Sequence, residues 1–108
     1  MRKMYPEMNY IDEYLYEVKR DEIEKVSDMK EWLEYNHHIF FLYRNDLFQL
    51  WHFKEKGVFC WQINIHSKEN GDFVEEIKTW HSFTDAISDP VFSDKSFSDI
   101  FDFVTLFY

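Results

Sequence analysis

Between residues 58 and 66 apolar and polar side chains alternate. Phe59, Trp61, Ile63 and Ile65 fall on one side of an extended chain, and Cys60, Gln62, Asn64 and His66 on the other. That is the period of two of a strand with one buried face. Two further apolar runs precede it, at 38–43 and 47–53. Arg44-Asn45-Asp46 separates them, and Asn and Asp suit a tight turn because they tolerate left-handed backbone. Lys54-Glu55-Lys56-Gly57 predicts a four-residue hairpin loop with Gly57 at positive φ. A weaker strand is expected at 73–79, with Phe73 and Ile77 on one face, after a polar turn at 67–72. Short loops between consecutive strands imply an antiparallel meander.

Helical spacing brackets this sheet. Ile11, Tyr14, Leu15 and Val18 recur at i, i+3, i+4 and i+7 and predict a helix over 10–18, although Tyr14, Tyr16 and Val18 also alternate as a strand would. Ser27 is placed to cap a second helix, with Asp28 and Glu31 in its first turn. Met29, Trp32 and Leu33 form its apolar edge, and it should end near Asn36. Ser82 can cap a short helix carrying Phe83, Ala86 and Ile87, which Asp89-Pro90 breaks because the residue before proline leaves the α region. Ser96 can cap a last helix with Phe97, Ile100, Phe101 and Val104. The expected fold is α+β: N-terminal helical elements, a four-stranded antiparallel meander and two short C-terminal helices, with helices on one sheet face. All of 1–108 reads as one domain with 1–8 frayed.

Composition sharpens this in three ways. Aromatic residues make up 21% of the 108, bulk enough for a packed core without disulfides or metal. Gly57 and Gly71 are the only glycines, which excludes a Gly-rich phosphate loop. Cys60 is the only cysteine. With no apolar leader segment visible, it points to a reducing, cytoplasmic setting. No apolar run approaches the roughly 18 residues of a membrane span.

The net charge is −9, and it is unevenly spread: −4 over 1–36, +1 over 37–66 and −6 over 67–108. Direct nucleic-acid binding is disfavoured, since phosphate contacts need clustered Lys and Arg. Attraction to a basic protein partner is allowed, and the same charge equally serves to keep an aromatic-rich chain in solution. In the tail, Asp85, Asp89, Asp94, Asp99 and Asp102 face Lys95 alone. Helix starts and turns account for Asp89 and Asp99, but less well for the whole series. With Glu75 and Glu76, these five are the candidate partner contacts.

Catalytic and metal chemistry finds less support. His37 and His38 would point to opposite sides of a strand, and His52 and His66 meet only in one register. His81 stands apart, and zinc needs three or four convergent ligands. Polar-face positions explain these histidines, so neither a metal nor a cofactor is expected. Cys60 with a histidine could form a nucleophile pair, but small free cysteines are common packing residues in sheets. Asp12-Glu13 and Glu75-Glu76 are neighbours rather than a convergent acid–base pair. The chain therefore reads as a non-enzyme.

The tail, FTDAISDPVFSDKSFSDIFD, carries Ala86, Asp89-Pro90-Val91-Phe92, Lys95-Ser96 and Ile100-Phe101. There it resembles the C-terminal part of small immunity proteins from bacterial polymorphic-toxin and contact-dependent growth-inhibition systems. Such tails often carry Gly before the Lys, where Asp94 stands here. The resemblance covers roughly a fifth of the chain. It implies a cytoplasmic protein that binds and neutralises one toxin domain, often a basic nuclease. Two other classes fit the residues. One is an acidic decoy that mimics DNA and blocks a nucleic-acid-binding protein. The other is a small ligand binder with an aromatic pocket between sheet and helices.

Overall fold

A computed structural model describes residues 16–67 and 73–108. It is an α+β fold, a six-stranded antiparallel sheet with three short helices. In chain order the elements are β1 (Glu17–Val18), α1 (Asp28–Asn36), β2 (His38–Tyr43), β3 (Asp46–Glu55), β4 (Val58–Ser67), β5 (Phe73–Trp80), α2 (Phe83–Ser88), α3 (Phe97–Ile100), a 3-10 turn (Phe101–Phe103) and β6 (Thr105–Phe107). The strands lie in the order β1-β6-β2-β3-β4-β5.

The meander β2–β5 follows the expected pattern, but its hairpins are tighter. Arg44 (φ 50) and Asn45 (φ 67) make one two-residue turn, and Lys56 (φ 50) and Gly57 (φ 81) the other. Positive φ at both turn positions matches the right-handed twist of paired strands. Lys54 and Glu55 therefore belong to β3, opposite Phe59 and Val58, not to a four-residue loop. The 67–72 turn lies largely outside the described residues. One irregularity between Ile63 and Asn64 leaves Ile77 as the extra residue of β5, so that Asn64 faces Glu76 and Ile63 faces Lys78.

The expected N-terminal helix over 10–18 is corrected where it is described. Glu17–Val18 is a strand paired with Phe107 and Leu106 of β6. Tyr16 and Tyr108 exchange backbone hydrogen bonds at 2.9 and 2.8 Å. Pairing with a distant strand decided between two local periods that the letters satisfied equally. Positions 10–15, and the frayed 1–8, lie outside the described residues. The sheet thus has two more strands than the predicted four, both at one edge.

Helix α1 forms as expected, but Ser27 does not cap it with its side chain. The Asp28 carboxylate instead accepts from the Glu24 and Lys25 backbone N–H groups at 3.1 and 3.0 Å, fixing the approach turn. The helix ends where His37 takes φ 69 and its N–H bonds the Leu33 carbonyl. Helices α2 and α3 start on the predicted serines. Ser82 accepts from the Asp85 N–H, and Ser96 and Asp99 form a reciprocal capping box.

The main core lies on one sheet face. Ile39, Phe41, Leu50, Ile63 and Leu106 meet Met29 and Leu33 of α1, Phe83 and Ala86 of α2, and Phe97 and Ile100 of α3. On the opposite face Leu47 and Phe107 are buried, with Phe40 and Leu42 against them. The predicted division of β4 is therefore half right. Ile63 is fully buried, and Trp61 and Ile65 are half-buried against the core. Phe59, at the hairpin end beyond the helices, is 53% exposed, whereas Cys60 and Asn64 on the expected polar face are buried. The His66 side chain lies outside the description.

Candidate functional site

The approach turn and α1 together build an acidic hollow. Helical spacing puts Asp28, Glu31, Trp32 and Tyr35 on one flank of α1, while Met29 and Leu33 face the core. The Asp28 carboxylate holds the Glu24 and Lys25 N–H groups, which folds Asp21, Glu22 and Glu24 back towards that flank. The result is a concavity of about 490 Å³ with Ile23 buried at its base. Asp21, Glu22, Glu24, Asp28 and Glu31 line it, with Trp32 and Tyr35. Among the described residues, five carboxylates and no Lys or Arg line the hollow.

Its aromatic residues differ in freedom. Trp32 is held: its Nε1–H donates to the His38 carbonyl at 3.1 Å, and its ring meets Tyr108 edge-on at 5.3 Å. His38 stacks on the same Tyr108 ring, 5.1 Å between centroids. Burial and then the adjacent His37 lower the His38 pKa. Tyr35 is 79% exposed, a rigid amphipathic ring beside an acidic concavity.

The seven carboxylates singled out in the sequence occupy five separate elements. Glu75 and Glu76 are exposed on β5, and Glu76 accepts from the Thr79 hydroxyl, which accepts from Gln62 Nε2, both at 2.8 Å. Asp85 is exposed in the first turn of α2. Asp89, at the other end of α2, takes hydrogen bonds from Lys78 Nζ and from Trp80 Nε1–H, the latter at 2.9 Å. Lys78 first, and Trp80 second, lower its pKa. Asp94 is exposed at the tip of a turn closed by Phe92 and Lys95. Asp99 accepts from the Ser96 backbone N–H at 2.9 Å, and that bond lowers its pKa. Asp102 is exposed near Arg20, and together with Glu24 they line a smaller hollow of about 340 Å³. Arg20 itself donates to the Phe101 and Val104 carbonyls and lies over the Phe101 ring. Burial lowers its pKa, and the charge of Asp102 opposes that shift. Asp89 and Asp99 are thus committed to the fold, while Glu75, Asp85 and Asp94 are free to face solvent.

The sequence reading missed the acidic hollow. The signal was the i, i+3, i+4, i+7 spacing of Asp28, Glu31, Trp32 and Tyr35. What no local pattern showed was the folding back of 21–24.

Among the described residues the histidines form no ligand cluster, although His37 and His52 line one concavity. His52 is buried, and its Nδ1 is 3.0 Å from the Cys60 carbonyl. Cys60 Sγ lies 3.7 Å from the Val58 carbonyl and 3.8 Å from His81 Nδ1, which is also 3.5 Å from the Phe59 carbonyl. These are weak, packing-scale contacts of a buried thiol. Among the described residues no three of His, Cys, Asp and Glu stand together as metal ligands, and no helix is long and apolar enough to cross a membrane. Compared with family models, with curated proteins and with solved structures, the chain shows no match.

Proposed function

We propose that this chain is an immunity protein, a stoichiometric inhibitor that works by binding a basic toxin domain, most simply a nuclease. The observation that carries this reading is the acidic hollow: five carboxylates with Tyr35 exposed at its side. Such a surface draws in a positively charged partner at long range. Exposed aromatic side chains then supply the desolvated anchor that slows dissociation. The free tail carboxylates Glu75, Asp85 and Asp94 add to the field, while Asp89 and Asp99 hold the tail in shape. The tail likeness at Asp89-Pro90-Val91-Phe92 and Lys95-Ser96 adds independent support for the toxin as partner. A cytoplasmic site of action follows, because there an incoming nuclease meets its substrate.

The test is a nuclease assay with a toxin domain cloned from any gene adjacent to this one. The expected result is a one-to-one complex and inhibition that is complete at equimolar ratio. Residual activity at several-fold excess of this protein, with no complex by size-exclusion chromatography, would remove the proposal.

A further inference from the structure

The other flank of α1 borders a second concavity, of about 450 Å³, whose chemistry is opposite to that of the acidic hollow. One wall is a column of rings at the end of the β3–β4 hairpin. His52 lies 4.3 Å from Trp61 at 17° between planes, and 5.3 Å from Phe59 at 27°. The bond from His52 Nδ1–H to the Cys60 carbonyl holds the middle ring in place. Lys30 and Glu34 of α1 and Lys54 of β3 also line the groove. Lys54 Nζ stands 5.1 Å from the centre of the Phe59 ring. The groove therefore carries two ammonium groups against one carboxylate in a chain of net charge −9.

We propose that this groove binds a flat aromatic anion, its ring against Phe59 and Trp61 and its charged group towards Lys30 and Lys54. Three features select that class. The volume is that of an ordinary small-molecule site, which spans about 300–1,000 Å³. Phe59 is 53% exposed, apolar surface that a ring would remove from water. The two lysines repel a cationic ligand and attract an anionic one. A bare anion would forgo the ring wall, and a neutral ring would forgo the lysines. A nucleoside monophosphate and a polycyclic aromatic carboxylate share the required chemistry. The site lies apart from the acidic hollow, so it stands or falls independently of the toxin-binding role.

The experiment is a 1H–15N NMR titration of the full chain with four probes in parallel: adenosine monophosphate, 2-naphthoate, adenosine and inorganic phosphate. Saturable shifts are expected at the Phe59 and Trp61 amides and the Trp61 indole, with the Asp102 amide, outside the groove lining, unmoved. Whichever of the first two probes binds should do so at least about five-fold more tightly than adenosine or phosphate, and their difference identifies the source of the ligand. Lys54→Glu should weaken binding at least about five-fold, while Asp21→Asn in the acidic hollow should leave it unchanged. Lys54 is exposed, and the same spectra report whether the variant is folded. No saturable shift up to about 5 mM of either anion, phosphate binding as tightly as both, or unchanged affinity in Lys54→Glu would each overturn the proposal.

Discussion

Phe97 and Phe59 show how differently this chain uses one side chain. Phe97 is fully buried, with its ring 4.9 Å from Phe41 and 5.9 Å from Phe101. Truncating it removes dispersion contacts on every side and leaves a cavity. Phe97→Ala is expected to cost about 3–5 kcal/mol in urea unfolding. Phe59→Ala should cost less than about 1 kcal/mol, as surface changes do. Similar losses for the two would mean that the hairpin end is packed in solution. Asp89 and Asp99 carry a second residue-scale consequence. Hydrogen bonds depress both carboxyls below the usual aspartate value, about 3.9. The stability they contribute is therefore present above that value and lost as pH falls through their lower folded pKa values. In acid titrations followed by circular dichroism, Asp89→Asn combined with Asp99→Asn should flatten the pH dependence below about pH 4. A variant as acid-sensitive as the parent would show that these bonds do not persist in water.

At the scale of elements, the turn between α2 and α3 holds Ser93 at φ 51 and Asp94 at φ 72. A side chain there pays a steric cost that glycine avoids. Asp94→Gly should accordingly be neutral to stabilising, by up to about 1 kcal/mol, because relief of that strain is offset by the greater freedom of the unfolded chain. A clear loss of melting temperature would show that the Asp94 carboxylate supports the turn. The same elements show what could be read in advance. The meander was legible because period-two alternation and Asn, Asp and Gly at the turns agree. The starts of α2 and α3 were legible from Ser82 and Ser96, but the last helix, expected to carry Val104, ends at Ile100 and passes through a 3-10 turn to an extended Val104. Strands β1 and β6 were not, since two and three residues are too few to carry a period, and their pairing joins Tyr16 to Tyr108 across the whole described chain. The four-residue loop at 54–57 was overestimated because Lys56, a residue with no turn preference, adopts positive φ. The site divides in the same way: the acidic flank of α1 could be read from its spacing, and the fold of 21–24 onto it could not.

Across the whole molecule, charge is partitioned by face rather than by segment. Residues 67–108 carry the largest net charge, −6, yet Asp89 and Asp99 are engaged within the fold, and the rest stand on separate elements. Residues 1–36 carry less, but the described fold gathers five of their carboxylates around one hollow. A concave field of one sign attracts more strongly than the same charges spread on a convex surface. The central claim is therefore that 21–35, more than the tail, steers the partner. Stopped-flow association with the toxin domain proposed as partner, measured from about 20 to about 150 mM salt, tests this most directly. Asp21, Glu24 and Glu31 are exposed, so replacing all three by Lys should leave the fold intact. The wild-type on-rate should fall at least about ten-fold over that salt range, and the triple variant should lose most of both the rate and its salt dependence. A triple variant that associates as fast as the wild type, with the same salt slope, would contradict the claim and return the binding surface to the tail or the open sheet face.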